Sequence, residues 1–304
     1  MPFKDNICIE LFHPEYVPIL KDNSIHYGGS QMWLSNEKRY GKDYILHNYG
    51  CGTIATADLF LYLALQKESY QTAITSMALN NENEINYNDY TMYLHTINKK
   101  YTKTRPVLAV LGPSVASAIN SYSSDYGLGL KATWKWVLNY YDMYDLIEEM
   151  LWKNLPVILS IGPNTPNLWG KKGIPFYELK EIDYMELNET DTGTPSETDT
   201  TEDPFTTTAY VDSTDGLSDN TTESSAVISK VPSKPYYYHA IKQNICGHYV
   251  TVTALIKDEV TGRIMLRISS WGRQYYINYE EYRDYIESIG GTFTSSIVYI
   301  KENY

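Results

Sequence analysis

Hydrophobic residues follow two different patterns along this chain. In the first half they recur at helical spacing, and from 53 to about 66 they cover most sides of the predicted helix, which is typical of a buried central helix. The same periodicity predicts further helices at 70–79, 88–99, 114–121 and 141–152. The first fifty residues lack this pattern and are predicted to be loop-rich, with a turn at 26–31.

The second half carries short apolar runs bounded by turn residues. The run at 156–161 is closed by Gly162-Pro163, as buried strands often are, and strands are also predicted at 249–256, 263–269, 275–277 and 296–301. Asn278 is placed to cap a short helix that follows it. Helices followed by mostly antiparallel strands predict an α+β fold, in which an N-terminal helical half packs on a C-terminal sheet.

One segment, 188–233, shows neither pattern. It is rich in Thr, Ser, Asp, Glu and Gly, and it has too few apolar residues to offset the entropy of ordering. We interpret it as a flexible acidic insertion within a single domain that spans 1–304. A tolerated surface loop is the favoured interpretation, because long surface loops cost little to close, and a lid or a docking segment for a basic partner are the alternatives.

The net charge of −12 is concentrated around this insertion. Twelve carboxylates and no Lys or Arg lie between residues 183 and 229, so the rest of the chain is formally neutral. An anionic chain without a basic stripe argues against a nucleic-acid partner. No apolar stretch is long enough to cross a bilayer and the N-terminus does not resemble a signal peptide, so we expect no membrane span and a cytoplasmic location.

Three cysteines, Cys8, Cys51 and Cys246, are too few and odd in number for a disulfide framework, which favours a reducing compartment. Cys51 stands between two glycines at the start of the predicted central helix. A helix N-terminus can stabilise a thiolate through its dipole and free amide hydrogens. The alternative is that Cys51 is a small buried hydrophobic residue.

His248 strengthens the chemical interpretation of Cys51. It follows Gly247 at the start of a predicted strand, where a side chain can reach across to a helix N-terminus. An adjacent imidazole is the second arrangement that activates a thiol. Together the two positions predict a thiol hydrolase, although they are separated by almost two hundred residues.

Three segments resemble papain-like cysteine peptidases, especially the bacterial branch related to bacteriocin-processing (double-glycine leader) peptidases. They are Cys51-Gly52 with its apolar helix, the segment 247–252, and Ser269-Ser270-Trp271-Gly272 at a strand end. The order of the three agrees with that family, although the middle of the chain is not similar. The resemblance implies a papain-like fold and cleavage of a peptide or protein substrate through Cys51 and His248, with no metal and no organic cofactor.

The chain departs from the family at two positions. Ser269 stands where the family has the asparagine that orients the catalytic imidazole, so the resemblance assigns that role to Ser269, with Asp258 as an alternative. Ile45 replaces the glutamine that stabilises the oxyanion, which leaves Asn48 or Gln31 as candidate donors. Trp271 is expected either to roof the catalytic pair or to belong to the core.

Several alternatives stay open at this stage. Peptidase, amidase and acyl transferase all use the same thiolate chemistry, and the sequence does not separate them. The missing Asn and Gln support a different class, a catalytically inactive papain-like domain that binds peptides or proteins. A partial zinc site formed by Cys246, His248 and Cys51 is a weaker hypothesis, because no fourth ligand stands at a recognisable spacing.

Overall fold

The computed structural model describes residues 8–79, 85–162, 173–181, 236–258 and 262–302. Within these ranges the chain is an α+β fold in which helices pack around one large antiparallel sheet. The helices are α1 (Lys42–Tyr49), α2 (Cys51–Gln66), α3 (Tyr87–Ile97), α4 (Gly112–Tyr126), α5 (Tyr140–Trp152) and α6 (Tyr279–Ile289). The strands are β1 (Cys8–Glu10), β2 (Pro18–Lys21), β3 (Ser24–Tyr27), β4 (Ile85–Asn86), β5 (Leu130–Trp136), β6 (Val157–Ile161), β7 (Ile174–Glu181), β8 (Tyr236–Ile245), β9 (His248–Lys257), β10 (Ile264–Ser270), β11 (Arg273–Asn278) and β12 (Ser296–Glu302).

The large sheet is organised around β9. Its described strands follow the order β5-β12-β6-β9-β10-β11-β7-β8, and β1 pairs with the far part of β9, at residues 254–256. β6 pairs with the near part, at residues 248–252, so β1 continues the line of β6. β2, β3 and β4 form a separate small sheet. Because β9 is buried over its first eight residues, its start lies deep in the fold.

The central helix predicted from the apolar run is α2, which is buried from Cys51 to Ala64 and packs against β9. Helices α3, α4, α5 and α6 confirm four further predictions. The Asn278 cap is also confirmed, since its side-chain oxygen accepts a hydrogen bond from the Glu280 amide at 2.9 Å. The strands predicted in the second half correspond to β6, β9, β10, β11 and β12.

The helix predicted at 70–79 is wrong. This segment contains only 3₁₀ turns at Glu68–Tyr70 and Thr75–Met77. The physical reason is local competition for backbone hydrogen bonds. The Thr72 amide donates to the Thr75 hydroxyl at 2.8 Å and the Thr75 amide donates to the Thr72 hydroxyl at 3.1 Å, so the side chains replace helical partners.

The first fifty residues are rich in loops, as predicted, although β1, β2, β3 and α1, which the sequence pattern did not predict, also lie there. Strands β5, β7 and β8 were also not predicted from the sequence. The predicted acidic insertion, 188–233, lies outside the described residues. Among the helices that the structure describes, none has both the length and the apolar character needed to cross a bilayer.

Candidate functional site

Cys51 lies at a junction between two consecutive helices. Gly50 alone separates α1 from α2, and a Cβ at this position would lie 2.2 Å from the Leu46 carbonyl oxygen. Only glycine therefore allows the chain to bend this closely at the end of α1. As predicted, Cys51 begins the buried helix, where the first amides have no partner within the helix.

Three backbone amides lie near the Cys51 sulfur and favour its thiolate: that of Tyr249, which is the second residue of β9, that of Gly52 and that of Cys51 itself. Burial is the largest effect and outweighs these amides, so the pKa of the Cys51 thiol is raised. The thiol is therefore neutral in this resting arrangement, contrary to the activation that the helix N-terminus alone predicted.

His248 begins β9 and is only 7% exposed. Its Nε2 atom lies 2.8 Å from the Ser270 hydroxyl, and the Trp271 ring stacks on the imidazole at 4.4 Å between centroids and 16° between planes. Phe176 of β7 packs at 6.5 Å from the same ring. Burial, followed by the nearby positive charge of Lys242, lowers the pKa of His248 to about 3, so the ring is a neutral base at ordinary pH.

The Tyr249 amide bond brings the start of β9 against the start of α2, so the two predicted site residues belong to one region. No hydrogen bond directly joins the Cys51 sulfur to the His248 ring in the described part of the chain. Because Ser270 occupies Nε2, Nδ1 is the ring nitrogen that remains for proton exchange with a neighbouring group.

Ser269 does not orient the imidazole. Its hydroxyl donates to the Tyr27 carbonyl at 2.9 Å, while the hydroxyl beside His248 belongs to Ser270. The assignment by resemblance is displaced by one residue, because successive side chains of a strand point to opposite faces. Asp258, the alternative, lies just beyond the other end of β9, roughly 30 Å from His248 along the strand.

The Trp271 ring stacks on the His248 imidazole and also packs against the hydrophobic core, so it has features of both expected roles. Trp271 and Gly272 form the two-residue turn between β10 and β11, with positive φ angles of 49° and 74°. Two positive φ angles are typical of a type I′ hairpin turn. A Cβ on Gly272 would lie 2.7 Å from the Trp33 ring, so glycine is required both for the backbone angle and for space.

The two side-chain amides proposed as oxyanion donors differ in how many of their N–H bonds are already used in other hydrogen bonds. Asn48 is exposed, and its Nδ2 atom donates to Asn36 and to the Tyr44 carbonyl, both at 2.8 Å, so both of its N–H bonds are used. Gln31 donates one N–H to the His47 carbonyl at 2.9 Å and keeps the other. Asn48 therefore has no free side-chain N–H to offer an oxyanion, whereas Gln31 keeps one.

A buried polar network connects α2 to the Trp271 turn. Asp58, two helical turns after Cys51, accepts hydrogen bonds from the Gly29 amide at 2.8 Å and from the Tyr90 hydroxyl at 2.7 Å. The Gly29 carbonyl in turn accepts from the Gly272 amide at 2.9 Å. Burial raises the pKa of Asp58 to about 7. The network holds the turn that places Trp271 on the imidazole.

Sequence reasoning missed Ser270, Lys242, Phe176 and Asp58. Ser270 was within the matched motif, so only the strand register was needed to select it. Lys242 and Phe176 come from the paired strands β8 and β7, which the sequence pattern did not predict. Asp58 stood out as the one charged residue of the apolar helix, and that was a signal that could have been used.

The hypothesis of a zinc site receives no geometric support. The Cys246 side chain is exposed and hydrogen-bonds the Tyr285 hydroxyl of α6. Among the residues that the structure describes, no three His, Cys, Asp or Glu side chains are arranged to hold a metal ion.

The described geometry places a buried thiol with nearby backbone amides at the start of α2 and a neutral imidazole at the start of β9. A thiol, a base and amide donors are the kinds of group that acyl transfer to sulfur requires. Comparison of the chain with models of protein families, with curated proteins and with solved structures found no match.

Proposed function

We propose that this protein is a papain-like cysteine peptidase or amidase in which Cys51 is the nucleophile and His248 the general base. One observation carries the proposal. The start of β9 lies on the N-terminus of α2, because the Tyr249 ring is 3.1 Å from the position of a Cβ built on Gly52 and the Tyr249 amide lies near the Cys51 sulfur, and His248 is the residue before Tyr249. The resemblance of three short motifs to papain-like peptidases supports the same residues independently.

In the first half of the reaction, Cys51 Sγ attacks the carbonyl carbon of the substrate. His248 accepts the thiol proton at Nδ1, since its Nε2 is engaged by Ser270. The developing oxyanion is stabilised by amides at the N-terminus of α2, and one such donor contributes about 3–4 kcal/mol to the transition state. The C–N bond then breaks, and His248 returns its proton to the leaving amine.

In the second half, a water molecule attacks the resulting thioester while His248 accepts one of its protons. The C–S bond breaks, and the proton on His248 passes to the sulfur, which regenerates the neutral thiol. Trp271 covers one side of the imidazole throughout and limits the access of bulk water. Ser270 holds the ring, so it is a positioning residue.

The neutral resting state is compatible with this chemistry. Burial raises the pKa of Cys51 and lowers that of His248, so the thiol keeps its proton until the substrate is bound. Proton transfer is then coupled to attack, as in general-base catalysis, and no preformed ion pair is needed. The proposal consequently predicts a low reactivity of Cys51 towards simple alkylating reagents.

The test is cleavage of a mixed peptide library by the full chain, followed by mass spectrometry. Wild-type protein is expected to cleave a subset of peptides and to form a transient adduct heavier by the acyl group, located on Cys51. Cys51→Ala and His248→Ala are expected to abolish both signals. Cys246→Ala is the matched control and should retain cleavage, because this exposed thiol lies against Tyr285 instead.

A second candidate function is a catalytically inactive domain of the same type that binds peptides. The observation in its favour is the electrostatic state of the pair, since both groups are neutral and no hydrogen bond joins them. A protein that binds library peptides without cleaving any, and without acyl transfer to Cys51, would be a binding module, and the peptidase proposal would be rejected.

A further inference from the structure

A cluster of positive charge lies in the loop after α3. Lys99, Lys100, Lys103 and Arg105 fall within seven residues, and all four are exposed. Within the described ranges of the chain, none of them forms an ion pair. Unpaired cations at this density create a local positive potential, although the protein as a whole carries a net charge of −12.

The basic loop is held against the same helical turn that carries Cys51. One turn of π-helix, Asn98–Thr102, extends α3, and the side chains of Thr102 and of Thr104, just beyond this turn, are buried. The Thr53 hydroxyl contacts that of Thr102 at 2.8 Å and that of Thr104 at 2.5 Å. All three threonines are buried, so the loop has a defined position relative to the start of α2.

A pocket of about 460 Å³ lies between this loop and α4. Lys100, Lys103 and Arg105 line it, together with Ser114 and Ser117 from the first turns of α4, and none of its lining residues is acidic. The α4 N-terminus adds the positive end of a helix dipole to these side chains. The charge, the hydroxyl groups and the dipole all favour an anionic occupant.

The pocket adjoins the candidate nucleophile through Val110. This residue lines the pocket, and its Cβ lies 3.4 Å from the position of a Cβ built on Gly52, the neighbour of Cys51. A peptide residue advances the chain by about 3.3–3.6 Å. A substrate side chain a few residues from the bond presented to Cys51 can therefore enter the pocket.

We infer that the pocket is a subsite for an acidic side chain, Asp or Glu, of a peptide substrate. The inference rests on the proposed function and adds the substrate class to it. The exposed aliphatic side chains of Val107, Leu108 and Leu111, which are 59%, 55% and 48% accessible, border the same loop and favour apolar residues beside the acidic one. Substrates with acidic and aliphatic residues near the cleaved bond are bound in preference to basic ones.

The experiment measures peptide binding to the full chain carrying Cys51→Ala, so that no turnover occurs. The probes are fluorescein-labelled decapeptides with three Glu residues on one side or the other of a central Ala-Ala, with Gln and Lys versions of each. Fluorescence anisotropy gives the dissociation constants at low and at high salt. Cleavage of the same peptides by the protein with Cys51 intact is followed in parallel.

Two triple charge reversals distinguish the pocket from general electrostatics. The test variant carries Lys100→Glu, Lys103→Glu and Arg105→Glu. The control carries Lys131→Glu, Lys135→Glu and Lys301→Glu, which change the net charge equally. The Trp134 ring faces Gly112 of α4, and side chains alternate along a strand, so Lys131 and Lys135 of β5 point away from α4. Lys301 is directly opposite Lys131 on the paired strand β12 and shares its face.

The expected result is that the Glu peptide binds the Cys51→Ala protein more tightly than the Gln and Lys versions do. The test variant should bind it roughly tenfold or more weakly, and the control should change affinity by less than about threefold. Equal affinities for all peptides, no measurable binding, or equal losses in both variants would overturn the inference. Selective Glu binding without cleavage would instead retain the subsite and reject the peptidase.

Discussion

At the scale of single residues, two buried titratable groups make opposite contributions to the pH dependence of stability. Asp58 has a folded pKa of about 7 against an ordinary value of 3.8, and His248 has about 3 against 6.5. Between pH 3.8 and 6.5 the folded state holds an extra proton on Asp58 and lacks one on His248. The two slopes of stability against pH therefore offset each other in this window.

Replacing one of the two groups should make the effect of the other on the pH dependence of stability measurable. In Asp58→Asn the remaining effect of His248 makes the free energy of unfolding rise with pH relative to wild type between pH 4 and 6.5, because the unfolded chain binds the extra proton. In His248→Gln it should fall with pH. Each difference is at most about 1.4 kcal/mol per pH unit.

Urea denaturation at pH 4, 5 and 6 measures these slopes. Tyr90→Phe serves as the control for Asp58→Asn, because it removes one hydrogen bond but retains the carboxyl group. A variant of Asp58 whose stability runs parallel to wild type at all three pH values would mean that Asp58 is ionised in the folded protein.

At the scale of elements, two neighbouring serines at the end of β10 are predicted to have different roles. Ser270→Ala removes the partner of the His248 ring, and the loss of one hydrogen bond, about 1 kcal/mol, should lower kcat by roughly fivefold with little change in KM. Ser269→Ala removes the bond to the Tyr27 carbonyl and should lower stability with kcat retained.

Steady-state kinetics on a peptide found by library cleavage checks this pair, with urea denaturation alongside. The assignment of Ser270 as a positioning residue fails if Ser269→Ala lowers kcat more than Ser270→Ala does. A similar loss in both variants would point to general loosening of the strand end.

The β10–β11 turn permits a second test at this scale. Gly272→Ala meets a left-handed φ of 74° and a contact of 2.7 Å with Trp33, whereas Gly127→Ala meets a φ of 62° with nothing within 4 Å. Both should lose about 1 kcal/mol from backbone strain. Gly272→Ala should lose more, by roughly 1–3 kcal/mol, from overpacking.

Equilibrium unfolding in urea measures both glycine variants under one condition. If the two lose the same free energy of unfolding, the turn is not pressed against Trp33. The close packing around Gly272 would then not contribute to the position of Trp271.

At the scale of the whole molecule, a buried ion pair connects the N-terminal strand to the central sheet. Glu10 of β1 and Arg267 of β10 lie on either side of β9, and their side chains approach to 2.7 Å. Both are almost fully buried. Glu10→Gln leaves an uncompensated buried cation and should lower the free energy of unfolding by about 3 kcal/mol.

The double variant Glu10→Leu/Arg267→Met is the control for this prediction. Replacing both charges with apolar residues removes the unpaired cation, so most of the lost stability should return. Chemical denaturation of the single and double variants provides the comparison. A Glu10→Gln protein as stable as wild type would show that this pair does not fasten β1 to the sheet.

The sequence predicted features that depend on neighbouring residues, and it failed where side chains compete locally or where distant segments pair. Helix α2, the Asn278 cap and the strand β9 were predictable because a periodic apolar pattern or a short polar side chain determines them locally. The segment 70–79 was not, since the Thr72 and Thr75 hydroxyls compete with the helix for its amides. The pairing of β7 with β8 joins strands about sixty residues apart in the chain, which no local pattern encodes.

The sequence by itself determined that a thiol begins a buried helix and that an imidazole begins a buried strand, because glycine flanks and apolar runs are local signals. Only the tertiary structure decided that the sulfur meets the Tyr249 amide, that Ser270 and not Ser269 contacts the imidazole, and that both groups of the pair are neutral. Those properties depend on strand register and on the exclusion of water, and both arise when distant segments pack together.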